Sequence, residues 1–129
     1  MDRLEVSAVV PAPPGDVYRT WLDPESHAAM TGAAAGGSAA LGGTFTAWDG
    51  YITARSLELV PGRRIVQAWR TADFGATDAD SRLEVVFEAE GNGTRVTVTH
   101  TEIPAGQGVN YEQGWKDFYF TPMQTHFGG

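Results

Sequence analysis

The chain has 129 residues and a mass of 13.8 kDa, nine Lys+Arg against sixteen Asp+Glu for a net charge of −7, no cysteine, and four Trp, four Tyr and six Phe. About two-thirds of the surface of a chain this size can be buried on folding, which suits one domain over residues 1–129 around one core. No run approaches the ~18 uninterrupted apolar residues of a membrane helix, the absence of cysteine excludes disulfides and thiolate chemistry, and an acidic pI of 4.7 without a basic stripe argues against a nucleic-acid partner.

Met1-Asp2-Arg3-Leu4-Glu5 carries charges in place of an apolar signal core, so a cytoplasmic location is expected. Leu4, Val6, Ala8 and Val10 then alternate with polar neighbours as in a half-buried strand, which Pro11-Ala12-Pro13-Pro14 ends because proline has no ladder donor. A short helix over 14–22 follows, with Val17, Tyr18, Trp21 and Leu22 on one apolar face. Asp23-Pro24-Glu25 supplies the N-cap, N1 proline and first-turn acid of a second short helix reaching about Met30. The Ala/Gly-rich stretch from Thr31 to Gly43 lacks both periodicity and the Gly-Lys-Ser/Thr ending of a phosphate loop, and is expected to be a mobile connection.

Strands are predicted over 43–48, 51–60 and 64–71, joined by Asp49-Gly50, a hairpin signal, and by Pro61-Gly62, a type II turn pair. After an acidic loop over 72–80, Leu83, Val85, Phe87 and Ala89 alternate, Gly91-Asn92-Gly93 turns the chain, and Val96, Val98 and His100 alternate back, which makes a hairpin. Asn110 as N-cap and Gln113 three residues on form a capping box that opens a long helix. On it Tyr111, Trp115, Phe118, Tyr119, Pro122 and His126 fall within about 100° of arc, and Met123, Phe127 and Phe120 widen the apolar face to roughly 200°. Such an arc predicts a helix nearly enveloped by the sheet and bent near its end by Pro122.

The element order predicts an α+β fold: a curved antiparallel six-stranded sheet around the C-terminal helix, two short helices between its first and second strands, and a cavity between sheet and helix. Residues 73–90 hold six acids and one base, so most of the net charge lies there, as a solvated face or an acidic contact patch.

Thr31-Gly32-Ala33, Gly42-Gly43-Thr44-Phe45, Trp48-Asp49-Gly50-Tyr51-Ile52, Leu57-Glu58-Leu59-Val60-Pro61, Arg64-Ile65-Val66-Gln67-Ala68-Trp69-Arg70 and Gly114-Trp115-Lys116-Asp117-Phe118-Tyr119-Phe120 follow one another along essentially the whole chain. In this order they resemble the family homologous to the C-terminal domain of the activator of heat-shock protein 90 ATPase. The resemblance implies the helix-grip, START-like (Bet v-like) fold. That superfamily includes lipid carriers, polyketide cyclases, hormone receptors and co-chaperones, so the fold leaves the function open.

His100 shares the strand phase of Val96 and Val98 and so faces the helix, either as a general base or ligand donor or as a core histidine satisfied by a backbone or hydroxyl partner. Glu102, two residues on in the same strand phase and near a strand end, either tunes the imidazole upward through its charge or stands at the rim in water. Asp49 fits either bonding of the turn backbone or a catalytic acid. His27 and His126 have no i,i+4 or His-x-His companion, and no metal or cofactor is expected. Trp48, Trp69, Phe87, His100, Tyr111, Trp115, Phe118 and Tyr119 are the expected lining between sheet and helix. The leading expectation is thus a non-catalytic domain that holds a small hydrophobic or aromatic molecule. Its rivals are a co-chaperone docking on a heat-shock protein 90 homologue through residues 73–90 or 32–43, and an enzyme using His100 for proton transfer.

Overall fold

In the computed structural model, which describes residues 1–128, the alternating residues Leu4, Val6 and Val10 bury one face of β1 (Asp2–Val10). Two helices follow, α1 (Pro14–Leu22) burying Val17, Tyr18 and Trp21, and α2 (Pro24–Thr31). The Asp23 carboxylate accepts the Ser26 backbone N–H at 3.0 Å and so caps α2, and Gly32, at φ 84°, ends it.

The sheet has seven strands where six are expected. The extra one is β2 (Gly36–Gly37), which pairs with β3 (Thr44–Ala47) at the sheet edge. Gly37 stands at φ 81°, and a Cβ there would lie 2.2 Å from the Thr44 carbonyl oxygen, so only glycine permits this approach. Ser38 N–H donates to Thr44 O and Gly42 N–H to Ser56 O. The stretch expected to be a mobile connection is therefore stitched to the sheet by backbone hydrogen bonds.

Strands β4 (Ile52–Val60), β5 (Arg64–Thr71), β6 (Ser81–Glu90) and β7 (Gly93–Ile103) complete an antiparallel sheet in the order β1-β7-β6-β5-β4-β3-β2. Gly62 takes φ 72° in the turn closed by Arg63 N–H to Val60 O. Between β3 and β4, however, the chain makes a 3-10 turn over Trp48–Gly50 in which Trp48 and Asp49 are themselves left-handed, at φ 51° and 58°.

The C-terminal helix starts earlier than the capping box predicts. Helix α3 (Gly108–Trp115) has no side-chain cap of its own; Asp2, at the start of β1, accepts the N–H groups of Gly106 and Gly108 at 2.8 and 3.0 Å. A distant carboxylate thus does the work assigned to Asn110. The chain then widens into a π turn (Lys116–Phe120) before α4 (Thr121–Gly128). Pro122 cannot donate to the Phe118 carbonyl four residues back, and the winding changes immediately before it.

This helix is laid on the sheet rather than enveloped by it: Trp115, Tyr119, Phe120 and Met123 are buried, whereas Phe118 is 54% exposed and His126 is exposed. The acidic segment is also divided. Arg70 pairs with Asp80, Arg64 with Glu84 and Arg95 with Glu90, and Asp73 accepts from the Tyr51 hydroxyl, so much of its charge is matched by neighbouring strands.

Candidate ligand site

Trp21 from α1, Trp69 from β5, and Trp115 and Tyr119 from the C-terminal helix meet in one cluster over the concave face of the sheet. Trp21 stacks on Trp115 at 6.0 Å between ring centroids and lies 4.9 Å from Tyr119, while Trp69 lies 5.3 Å from Trp115. Beside this cluster is a cavity of about 330 Å³. The sheet contributes Ile52, Trp69, Thr71 and His100 to its wall, the 48–51 turn contributes Trp48 and Tyr51, and the helix contributes Tyr111, Gly114, Trp115, Phe118 and Tyr119. Phe118 and Tyr51 are partly exposed at 54% and 38%, so the cavity has a solvent side.

Seven of the eight residues expected in the lining are brought together here. Phe87 is not among them: it packs edge-on against Tyr18 at 5.8 Å, under α1. Strand phase puts Phe87 on the concave face, but its position along β6 places it toward the other end of the sheet. Tyr51, Ile52, Thr71 and Gly114 went unnoticed in the sequence as wall residues. Thr71 shares the strand phase of Trp69, and Gly114 interrupts the aromatic helix face; each was a usable signal.

His100 is fully buried, and its hydrogen bonds define its state. The Trp115 indole N–H donates to Nδ1 at 3.3 Å, so Nε2 carries the proton and donates to Ser81 Oγ at 2.7 Å, and the Ser81 hydroxyl donates to the Trp69 carbonyl at 2.7 Å. Burial holds the imidazole pKa down at about 4, which leaves it neutral at pH 7. Glu102 does not oppose this. It takes φ 58°, an irregularity that breaks the strand alternation and turns it out to solvent, so of its two readings the structure has the one at the rim in water, not the one beside His100.

His27 is the second buried imidazole, and the sequence weighed it only as a metal ligand. Its Nδ1–H donates to the Trp21 carbonyl at 2.8 Å, its Nε2 accepts from the Tyr119 hydroxyl at 3.0 Å, and burial again lowers its pKa to about 4. Asp49 accepts the Ala34 N–H at 3.0 Å while its own N–H donates to Ala34 O at 2.9 Å. It ties the 33–36 segment to the Trp48 turn and performs a backbone-bonding role.

Around the cavity the polar atoms are largely engaged. Thr71 Oγ1 and the Tyr111 hydroxyl lie 2.7 Å apart, Tyr111 donates to Gln107 Oε1, and Tyr51 donates to Asp73. Burial and the adjacent Asp73 carboxylate push the Tyr51 phenol up to about 12. The Trp48 Nε1–H is shielded from water and lies toward the Tyr119 hydroxyl, outside full hydrogen-bond geometry. No helix among the described residues is long and apolar enough to cross a membrane.

Residues 11–128 match the family model described as activator of Hsp90 ATPase homolog 1-like protein. The human activator of 90 kDa heat shock protein ATPase homolog 1 is 29% identical over 115 residues, 89% of this chain and 34% of that protein, so the chain spans about a third of the length of this curated relative. A crystal structure of a protein from Chromobacterium violaceum is 26% identical, with a TM-score of 0.77 over 98% of this chain and 97% of that one. An HSP90 activator from Plasmodium falciparum superposes with a TM-score of 0.87 at 23% identity, covering 98% and 96% of the two chains, and shares the helix-grip fold. The motifs, the sheet-and-helix architecture and the match over 11–128 agree: the chain belongs to the activator of Hsp90 ATPase homolog 1-like family.

Proposed function

We propose that this domain binds a small hydrophobic or aromatic molecule in the cavity between sheet and C-terminal helix. The observation that carries this reading is the cavity wall itself: about 330 Å³ bounded mostly by aromatic rings, with no charged side chain in the lining and a solvent side at Phe118 and Tyr51. That is the pattern of a ligand site, at the lower end of the usual size range, and it suits a two- or three-ring molecule. Proton transfer by His100 would require the ligand to displace Trp115 or Ser81, since both ring nitrogens are engaged.

Gly114 provides the test. A Cβ there meets nothing closer than Phe118 Cδ2 at 3.8 Å, so a larger side chain grows from the wall without a backbone clash. Gly114→Leu is expected to keep or raise thermal stability, since removing a helical glycine favours the helix by up to about 1 kcal/mol. It is also expected to weaken calorimetric binding of 2-ethylnaphthalene at least tenfold. Equal binding by both proteins, or none by the wild type, counts against the reading.

The 29% identity to the human activator supports a second reading, docking on a heat-shock protein 90 homologue. A bacterial chaperone of this class is expected to hydrolyse ATP at an altered rate when the domain is added in micromolar excess. An unchanged rate removes this reading and leaves the first untouched.

A further inference from the structure

Three hydroxyls of the cavity wall gather at one end of it. Thr71 Oγ1 and the Tyr111 hydroxyl lie 2.7 Å apart, the Tyr51 hydroxyl stands beside both, and Asp73 lies one hydrogen bond farther out, accepting from Tyr51. This end is on the solvent side: Tyr51 and Asp73 are exposed, while Trp69, Trp115 and Tyr119 are buried. The hydroxyl hydrogens here are already committed. Tyr111 donates to Gln107 Oε1, Thr71 therefore donates to Tyr111, and Tyr51 donates to Asp73. A hydroxyl whose hydrogen is engaged can only accept, so these three groups offer a ligand oxygen lone pairs.

Asp73 adds a negative charge that no base matches. It is in none of the ion pairs among the described residues, and Arg70, which holds the same loop, is engaged by Asp80 and by the carbonyls of Gly75 and Asp78. Burial first, and the Asp73 carboxylate with it, raises the pKa of the Tyr51 and Tyr111 phenols, so the field of that carboxylate reaches both. Lone pairs, aromatic rings and an unmatched carboxylate all favour a cation, and a charge kept at the mouth retains part of its hydration. We infer that the occupant is an organic cation, an aromatic ring on a short alkylammonium arm. Its ring lies against Trp69 and Trp115, and its ammonium stays at the mouth, donating to the Tyr51 and Tyr111 hydroxyls and paired with Asp73. This rests on the cavity being a ligand site, and it adds the sign and the position of the ligand's charge.

Three naphthalenes of one size test it by calorimetry at low ionic strength and neutral pH: 2-(aminomethyl)naphthalene, which is protonated, 2-ethylnaphthalene, which has a methyl group in place of the ammonium, and anionic 2-naphthoate. The amine is expected to bind about tenfold more tightly than the hydrocarbon, the scale of one charge-assisted hydrogen bond, and the carboxylate more weakly than either. Asp73→Asn keeps an acceptor for the Tyr51 hydroxyl at an exposed site and removes only the charge. In that variant the amine should fall to the affinity of the hydrocarbon, whose own binding stays unchanged. Glu88→Gln, which removes an exposed acid from the opposite face of the sheet, should keep the preference. Equal wild-type affinity for amine and hydrocarbon, or an amine preference that survives Asp73→Asn or is lost as fully in Glu88→Gln, overturns the cation site while leaving the cavity a ligand site. Failure of the amine and the hydrocarbon alike to bind the wild type overturns both.

Discussion

Lowering the pH from 7 to 4 is expected to remove about 6 kcal/mol of folding stability through two histidines alone. Native His27 and His100 are held neutral with pKa values of about 4, while the unfolded chain protonates imidazole near 6.5. Between these values the unfolded state binds more protons, so stability is fully present above pH 6.5 and is lost as the pH falls toward 4. Each histidine contributes about 3 kcal/mol by this linkage, against the roughly 5–15 kcal/mol that hold a domain folded. Urea titrations between pH 7 and 4.5 should therefore show stability falling at up to about 2.7 kcal/mol per pH unit, the slope for two protons. His100→Gln should roughly halve that slope at any stability the variant retains. A flat profile over the same window would show that the two rings are not buried in their neutral form.

Trp21→Ala is expected to cost about 4 kcal/mol, the scale of emptying a fully buried tryptophan site. Trp21 is 1% exposed and touches Trp69, Trp115, Tyr119 and His27 at ring-centroid distances of 6.5, 6.0, 4.9 and 5.5 Å. Its indole N–H reaches Gln67 Oε1 at 3.4 Å, and the Gln67 amide reaches Ser56 Oγ at 3.4 Å, so truncation also strips a partner from a buried amide. Phe118→Ala, at a site 54% exposed, should cost under about 1 kcal/mol. Chemical denaturation of the two variants measures the contrast. Similar losses from both would mean that the aromatic cluster is not organised around Trp21.

The elements that were legible in the sequence are those whose signal is local. The α1 boundaries, the Asp23 cap, the Pro61-Gly62 turn and the β6–β7 hairpin each follow from a few adjacent residues, and the structure has each of them. The structure departs from the local pattern where distant residues decide. Asp2, more than a hundred positions away, caps α3 in place of Asn110, and the edge strand at Gly36–Gly37 exists because Phe45 and Thr46 offer it a ladder. The irregularity at Glu102 breaks the alternation that would have paired it with His100.

At the site the division is similar. The aromatic density of the last helix and the inward phase of His100 can be read from period 3.6 and period 2, because each depends only on the backbone geometry of one element. Whether those rings fill the space or leave some empty depends on how three elements stack, and that is a property of packing. The sequence by itself determined the family, the order of most elements and the side of the sheet on which the aromatic residues gather. Only the tertiary structure decided that Phe87 lies outside the cavity, that Phe118 and Tyr51 stand on its solvent side, and that His27 and His100 are neutral and fully hydrogen-bonded. The reason is physical: periodicity encodes direction from a single backbone, whereas burial, tautomer and empty volume arise when side chains from distant parts of the chain compete for the same space.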